Sequence, residues 1–147
     1  MTQEQKQLLL KDLCGRLPYR LLVQDEDAGV CLLQTYMVND LMFENPSLSI
    51  KPYLRPMSSM TKEEAIEMYF TVDVNADDSR NVINCDVSKD KISFLLEHNG
   101  NYVGHRVLFF NDIYSLAQMD WLNKHHFDYR GLIPMGLALE APKDMYK

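Results

Sequence analysis

A short segment near one end of the chain concentrates residue types that can do chemistry: it begins at His125 and reads HHFDYR. In an extended backbone His126, Asp128 and Arg130 project on the same side, because side chains alternate along a strand. A His/Asp pair of this kind can ligate a divalent metal or act as a base with its orienting group. A hydrolytic metal site needs a third protein ligand, and the other two histidines have no fixed spacing to this segment.

The same segment also has a structural interpretation, which we favour. Histidines at the C-terminal end of a helix meet its partial negative charge, and Gly131 can turn the chain. The guanidinium of Arg130 can fork onto a carboxylate such as Glu140. The sequence therefore predicts no catalytic residue and no metal ligand. The segment instead supplies five candidate binding residues: His125, His126, Asp128, Tyr129 and Arg130.

A second candidate binding segment lies in the first half of the chain. The three prolines between Asn45 and Met57 lack an amide donor and disfavour helix, so this stretch is predicted to run extended over the surface. Tyr53 and Arg55 place an aromatic ring and a cation there, which suits contact with a partner. The interpretation that we favour, given the apolar content of this segment, is that it anchors one element of the fold to the next.

Other catalytic or cofactor motifs are incomplete in this sequence. Asp73 begins a calcium-like pattern, but Asp78 stands where the loop needs glycine and Asn84 where it needs glutamate. The chain has no GxSxG nucleophile elbow, no GxGxxG and no GxxxxGK[ST] motif. Three widely spaced cysteines, Cys14, Cys31 and Cys85, form no CxxC pair and are interpreted as buried thiols. We expect no cofactor.

Composition indicates one globular domain over residues 1–147. The chain is 46% hydrophobic and carries 21 acidic against 15 basic residues, a net charge of −6. Nucleic acid is an unexpected partner for such a surface, because phosphate binding needs clustered cations. The first residues carry no basic region and no long apolar run, so we expect a cytoplasmic protein without membrane contact.

The local patterns predict both helices and hairpins. Thr2 begins a helix that Gly15 is expected to end, Thr61 begins a second one, and Asp112 begins a third that runs to about His125. The β-rich runs 19–24 and 30–37 predict one hairpin. Asn99-Gly100 predicts a hairpin within 91–110, although Ser88 to His98 also fits a helix, and 81–87 fits a short strand.

These elements predict an α+β fold. We expect one antiparallel sheet, built from the hairpins and covered by about three helices. The C-terminal block should pack back as an ordered cap, in which Trp121 anchors the last helix. The side chains expected to bury in that block are Leu132, Ile133, Leu137 and Leu139.

Two blocks of sequence resemble a family of small proteins from gut anaerobic bacteria, their prophages and their phages. The blocks are KPYLRPMSSMTKEE, from Lys51, and DWLNKHHFDYRGLIPMGLALEAPKDMYK, from Asp120. The resemblance covers about 40 residues and implies a genomic setting, without an established activity. Lys143-Asp144 departs from the Glu-Gly of the family, which removes a turn glycine.

The resemblance and the incomplete motifs together favour a small accessory protein of phage or mobile-element type that acts by protein–protein binding. We expect it not to be an enzyme. One alternative is a small metal-dependent hydrolase or nuclease that uses His126 and Asp128. Another is a binder of nucleotides or small ligands that uses Tyr129 and Arg130.

Overall fold

The structure is a computed structural model that describes residues 1–43, 49–71, 81–112 and 114–147. These residues form four α-helices and seven strands in two sheets, which confirms the α+β class. The helices are α1 (Gln3–Arg16), α2 (Thr35–Met42), α3 (Lys62–Ile66) and α4 (Leu116–Lys124). The strands are β1 (Leu22–Asp25), β2 (Gly29–Leu32), β3 (Ile50–Leu54), β4 (Asn81–Val87), β5 (Lys91–His98), β6 (Asn101–Phe109) and β7 (Leu139–Glu140).

The chain divides into two compact units, each described by itself below. The terminal unit comprises Met1–Arg55 and Asn123–Lys147, and the central unit comprises Pro56–Leu122. The predicted hairpins form in separate sheets, one in each unit, so the strands do not build the single expected sheet. The expectation of one domain stays a prediction.

The sheet of the terminal unit has the order β2-β1-β3-β7. β1 pairs antiparallel with β2 and with β3, whereas β3 pairs parallel with β7, which places the last residues of the chain beside the first extended block. Leucines from α1 and from the C-terminal block share one core, because the apolar positions of α1 recur on one helical face. The core includes Leu9, Leu13, Leu21, Val23, Leu54, Leu132 and Leu137, each less than a tenth exposed.

Two local predictions for the terminal unit are wrong. Gly15 does not end the first helix, which runs to Arg16 and continues as a 3-10 turn before Arg20 takes a left-handed φ of 55°. A Cβ on Gly15 would lie 3.0 Å from Nδ2 of Asn123, so the absence of a side chain serves packing. The strand expected to reach Met37 stops at Leu32, and residues from Thr35 form α2 with a buried apolar face.

The central unit contains a three-stranded antiparallel sheet of order β4-β5-β6. The capping box of Thr61 with Glu64 is present at the start of α3, as expected. The hairpin at Asn99 and Gly100 is confirmed, since both residues have positive φ, of 52° and 79°, and the helical alternative for 88–98 is wrong. The strand expected over 81–87 is also present.

The last helix of the sequence prediction begins later than expected. Ser115, rather than Asp112, caps α4: its hydroxyl accepts a hydrogen bond from the amide of Gln118, whose side chain accepts one from Ser115. Asp112 instead accepts from the amide of Phe109, at the end of β6. The carboxylate therefore binds the last residue of β6 and does not start the helix.

The C-terminal block is ordered, as predicted, although its side chains are buried to different degrees. Leu132 and Leu137 are buried, whereas Ile133 and Leu139 are half-buried, and Trp121 is buried. The expectation of buried thiols holds only for Cys85, because Cys31 is half-buried and Cys14 is exposed; Cys14 lies on the outer side of α1.

Two earlier expectations involve residues that the structure describes only in part. The three-proline stretch is described from Ser49, and 44–48 lie outside the described residues. β3 confirms an extended chain, but the expected course over the surface is wrong, because β3 lies between β1 and β7 in the sheet and buries Ile50 and Leu54. The polar loop over 73–80, including most of the calcium-like pattern, also lies outside them. Among the described residues, no helix is long and apolar enough to cross a membrane.

Candidate functional site

The two candidate binding segments of the sequence meet in the terminal unit. The amide of Arg55 donates to the carbonyl of His126 at 2.8 Å, and the amide of Asp128 donates to the carbonyl of Arg55 at 2.8 Å. Phe127 between them is completely buried, and the Arg55 guanidinium lies 4.1 Å from the centre of its ring. This parallel bridge continues the direction of the β3–β7 pair, so the two blocks form one structural site.

The carboxylate of Asp128 binds backbone amides of this site. Its two carboxylate oxygens accept hydrogen bonds from the amides of Leu132 and Ile133, at 2.7 and 2.8 Å. Gly131, which lies between Asp128 and Leu132 in the sequence, has a φ of 73°, and this left-handed conformation confirms the predicted turn. Burial raises the pKa of the Asp128 carboxyl, and the two amides act in the opposite direction. Asp128 is therefore a turn-forming residue, both of whose carboxylate oxygens accept hydrogen bonds from backbone amides.

A buried charged cluster lies beneath this turn. Arg16 is completely buried and donates to both oxygens of Asp12, at 2.7 and 3.0 Å, and to the carbonyl of Phe127 at 2.7 Å. Arg130 donates to the same carboxylate at 3.1 Å, so the expected contact of Arg130 with Glu140 is wrong. The guanidinium of Arg130 also lies 4.6 Å from the ring centre of Tyr129, whose hydroxyl donates to Asn123.

Sequence reasoning missed Asp12 and Arg16, because both lie in α1 and neither belongs to a recognised motif. One signal was available: the two residues are four positions apart, on the helical face that carries Leu9 and Leu13. A charged i,i+4 pair on an apolar face predicts burial of both charges together, since either charge alone is very costly to bury.

His126 is the most unusual residue of the site. It takes a left-handed φ of 61°, is only 6% exposed, and stacks on Tyr146 with ring centroids 4.0 Å apart. Burial lowers the pKa of His126 to about 4, and the positive charges of Arg16, His125 and Arg55 lower it further, so the ring is neutral at pH 7. Among the described residues, none makes a hydrogen bond to its Nδ1 atom.

Tyr146 connects the end of the chain to this site. Its hydroxyl donates to the carbonyl of Tyr53 at 2.7 Å and accepts from the amide of Leu22 at 3.2 Å. The hydroxyl of Tyr53 itself donates to the side chain of Gln24. Tyr53 therefore connects β3 to β1, and its hydroxyl is engaged within the fold. Asp144 has a φ of 75°, so the chain adopts a left-handed turn conformation here without glycine.

An open cleft of about 460 Å³ lies over His126. Six basic side chains line it, and no Asp or Glu does so among the described residues. Leu22, Leu32, Met145 and the rings of Tyr19 and Tyr146 complete its wall. Four of them are the Arg and Lys side chains of Arg20, Arg55, Lys124 and Lys147, and the other two are His125 and the neutral His126. This cleft, which we call the basic cleft, is the accessible part of the site.

Comparison of the chain with family models, with curated proteins and with solved structures finds no match. The described residues contain no group of three His, Cys, Asp or Glu side chains that could hold a metal ion. The buried charges of the site connect α1 to the C-terminal block, and the basic cleft is its open part. It brings together His126, Asp128, Arg55 and Tyr53, and it directs Arg130 and Tyr129 toward α1.

Proposed function

We propose that this protein acts by binding another protein, and that the partner adds an extended, basic segment as a further strand beside β6. The observation that carries the proposal is the position of β6, which is the last strand of its sheet in the part of the chain that the structure describes. An edge strand presents unpaired amides and carbonyls along its outer side, and these form hydrogen bonds with any extended chain of matching register.

The side chains of β6 suit such a contact. β6 has nine residues without lysine or proline, two residue types that commonly protect sheet edges. Val107 and Phe109 pair with Ser93 and Lys91, which alternate with the buried Ile92, so both point away from the buried face. They are 39% and 45% exposed. An exposed apolar row beside an open edge is typical of a protein-binding surface.

The net negative charge of the central unit indicates that the partner segment is basic. The sequence of this unit contains 11 acidic and five basic residues, whereas the terminal unit contains ten of each. The whole net charge of −6 therefore belongs to the unit that carries β6. The negative electrostatic field of this unit raises the association rate of a basic segment and favours basic partners over acidic ones. It repels a second copy of the same acidic unit.

The resemblance to proteins of gut anaerobic bacteria and their phages supports a role as a mobile-element accessory protein in the cytoplasm of such a host. Small proteins of this kind can act by contact alone, without catalysis. The partner is then a host or phage protein with a basic extended segment. Its affinity should fall as ionic strength rises, because the attraction is partly electrostatic.

The test begins with capture of partners from a lysate of a gut anaerobe on the immobilised chain. Each captured protein is then purified and its dissociation constant measured with the parent, with Val107→Lys, and with Leu116→Lys as the matched control. Leu116 is an 83% exposed leucine in the same unit but outside the sheet. We expect Val107→Lys to weaken binding at least tenfold, through lost apolar contact and added repulsion, and the control to change it less than twofold.

Amide hydrogen exchange distinguishes strand addition from other contacts. A partner that pairs with β6 should slow the exchange of amides within Asn101–Phe109 on its outer side. If a tight partner leaves these amides unprotected, or binds the parent and Val107→Lys equally, protein binding at β6 is refuted.

A further inference from the structure

We propose that the basic cleft of the terminal unit is a binding site for a small molecule that carries an oxyanion, either a phosphate or a carboxylate group. This inference is independent of the proposed function, because it concerns a different unit and different residues. It depends on the concentration of basic groups in one cleft and on a buried histidine that faces this cleft.

The charge of the cleft is local. The terminal unit holds equal numbers of acidic and basic residues in its sequence, yet the described lining of the cleft contains Arg, Lys and His side chains and no Asp or Glu side chain. Arg20, Arg55, Lys124 and Lys147 come from four different parts of the chain. Lys147 forms an ion pair with Asp144. Like charges that converge at this density repel one another, and an anion relieves that repulsion.

The backbone is held in place at both Arg20 and Arg55. Arg20 is the left-handed residue that ends the 3-10 turn after α1, and Arg55 is fixed by two backbone hydrogen bonds to His126 and Asp128. The Arg55 guanidinium is further positioned over Phe127. A preorganised guanidinium loses little conformational freedom on binding and offers the forked donors that phosphate and carboxylate accept.

His126 supplies the second, independent observation. It is more than nine-tenths buried and lines the cleft, and among the described residues its Nδ1 has no hydrogen-bond partner. A buried polar atom without a partner is costly, and it is commonly found where a ligand completes the hydrogen bonding. With one nitrogen protonated, a neutral imidazole can donate one hydrogen bond to an oxyanion.

The rest of the wall indicates the body of the ligand. Leu22, Leu32 and Met145 provide apolar surface, and Tyr19 and Tyr146 provide aromatic rings. The volume of about 460 Å³ lies within the range of small-molecule sites and suits a ligand of moderate size, with a flat or apolar body and one charged end. A macromolecular phosphate backbone would need a longer basic surface than this cleft offers.

The binding test uses three probes on the full chain: inorganic phosphate, adenosine monophosphate and citrate. Binding is measured by isothermal titration calorimetry for the parent and for two double variants with equal loss of charge. Arg20→Gln/Lys124→Gln removes two exposed cations of the cleft, and Lys11→Gln/Lys51→Gln removes two exposed cations elsewhere in the unit. We expect the cleft variant to bind at least tenfold more weakly and the control to stay within twofold of the parent.

The three probes separate the two sources of an oxyanion. Tighter binding of either phosphate compound than of citrate identifies a phosphate ligand, and the reverse order identifies a carboxylate ligand. If adenosine monophosphate binds more tightly than phosphate, the aromatic wall takes part. If none of the probes binds at millimolar concentration, or if both double variants lose the same affinity, the proposed site is refuted.

A nuclear magnetic resonance titration of His126 gives a second readout that simple charge attraction would not provide. The groups that face this ring are Tyr146, Arg16, Arg55 and His125, of which the basic ones keep its pKa low. A bound anion beside the ring favours the protonated form, so the bound probe should raise the pKa of His126 from about 4. An unchanged titration in the presence of a saturating probe would place the anion away from His126 and overturn the assignment.

Discussion

Replacement of Asp12 by leucine should destabilise the fold strongly, because it leaves a completely buried guanidinium without its counter-charge. Asp12 accepts two hydrogen bonds from Arg16 and one from Arg130, all between 2.7 and 3.1 Å. After the substitution Arg16 keeps only its bond to the carbonyl of Phe127. Removal of one member of a buried ion pair costs about 3–5 kcal/mol, and we expect Asp12→Leu to lower the free energy of unfolding by that amount.

The double variant Asp12→Leu/Arg16→Met tests the cause. It removes the buried charge together with its partner. The remaining costs are the lost hydrogen bond from Arg16 to the carbonyl of Phe127, about 1–3 kcal/mol, and the lost ion pair of the partly exposed Arg130. Arg16→Met alone leaves Asp12 with Arg130 as its only partner and should cost about 3–5 kcal/mol. The double variant should therefore be no less stable than either single variant, a strong departure from additivity.

The assay is urea denaturation followed by circular dichroism at pH 7, for the parent, the two single variants and the double variant. Lys147→Ala serves as a control, because it breaks the exposed ion pair with Asp144 and should change stability by less than about 1 kcal/mol. If Asp12→Leu costs less than about 1 kcal/mol, or if the single effects simply add in the double variant, Arg16 is not a buried charge held by Asp12.

Three further predictions concern single residues of the terminal unit. His126 is neutral in the fold because its pKa is lowered to about 4, so its contribution is complete above the ordinary pKa of about 6.5 and is lost as pH falls toward 4. Urea melts at pH 7 and 4.5 should show a loss of up to about 3 kcal/mol, and His126→Phe should reduce it; an unchanged pH dependence would contradict this. Asp144→Val should lower stability by about 1–2 kcal/mol in thermal melts, because a β-branched residue strains at a φ of 75°, whereas Asp144→Gly should preserve it; equal stability of the two variants would exclude the left-handed turn. Gly15→Ala should gain none of the roughly 1 kcal/mol that this change gives within a helix, because the new Cβ meets Asn123 at 3.0 Å; a clear gain would place Asn123 elsewhere.

The features that were predicted correctly from the sequence are those decided by a few neighbouring residues. The turn at Asn99 and Gly100 and the capping box at Thr61 each depend on residues within three positions, and both are present. The C-terminal block was recognised as ordered because its apolar residues and Gly131 form a local pattern. These are short-range effects, in which backbone preference and side-chain chemistry agree.

The buried charges of the site were not predictable in the same way. Arg130 was expected near Glu140, ten residues away, but its partner Asp12 is separated from it by 118 positions. Nothing in the local sequence of Arg130 distinguishes these two carboxylates, because the choice is made by the packing of α1 against the C-terminal block. Gly15 was misassigned for a related reason: its neighbour Asn123 comes from a distant segment.

The order in which the terminal unit is assembled has a consequence for biosynthesis. Its core needs Leu132 and Leu137, and its sheet needs β7, yet the whole of Pro56–Leu122 is translated between Arg55 and these residues. At ribosomal rates of about 5–20 residues per second, the first 55 residues wait on the order of ten seconds for their partners. During that interval the nascent N-terminal segment therefore exposes the apolar surface that Leu132 and Leu137 later cover, and we expect a chaperone to bind it.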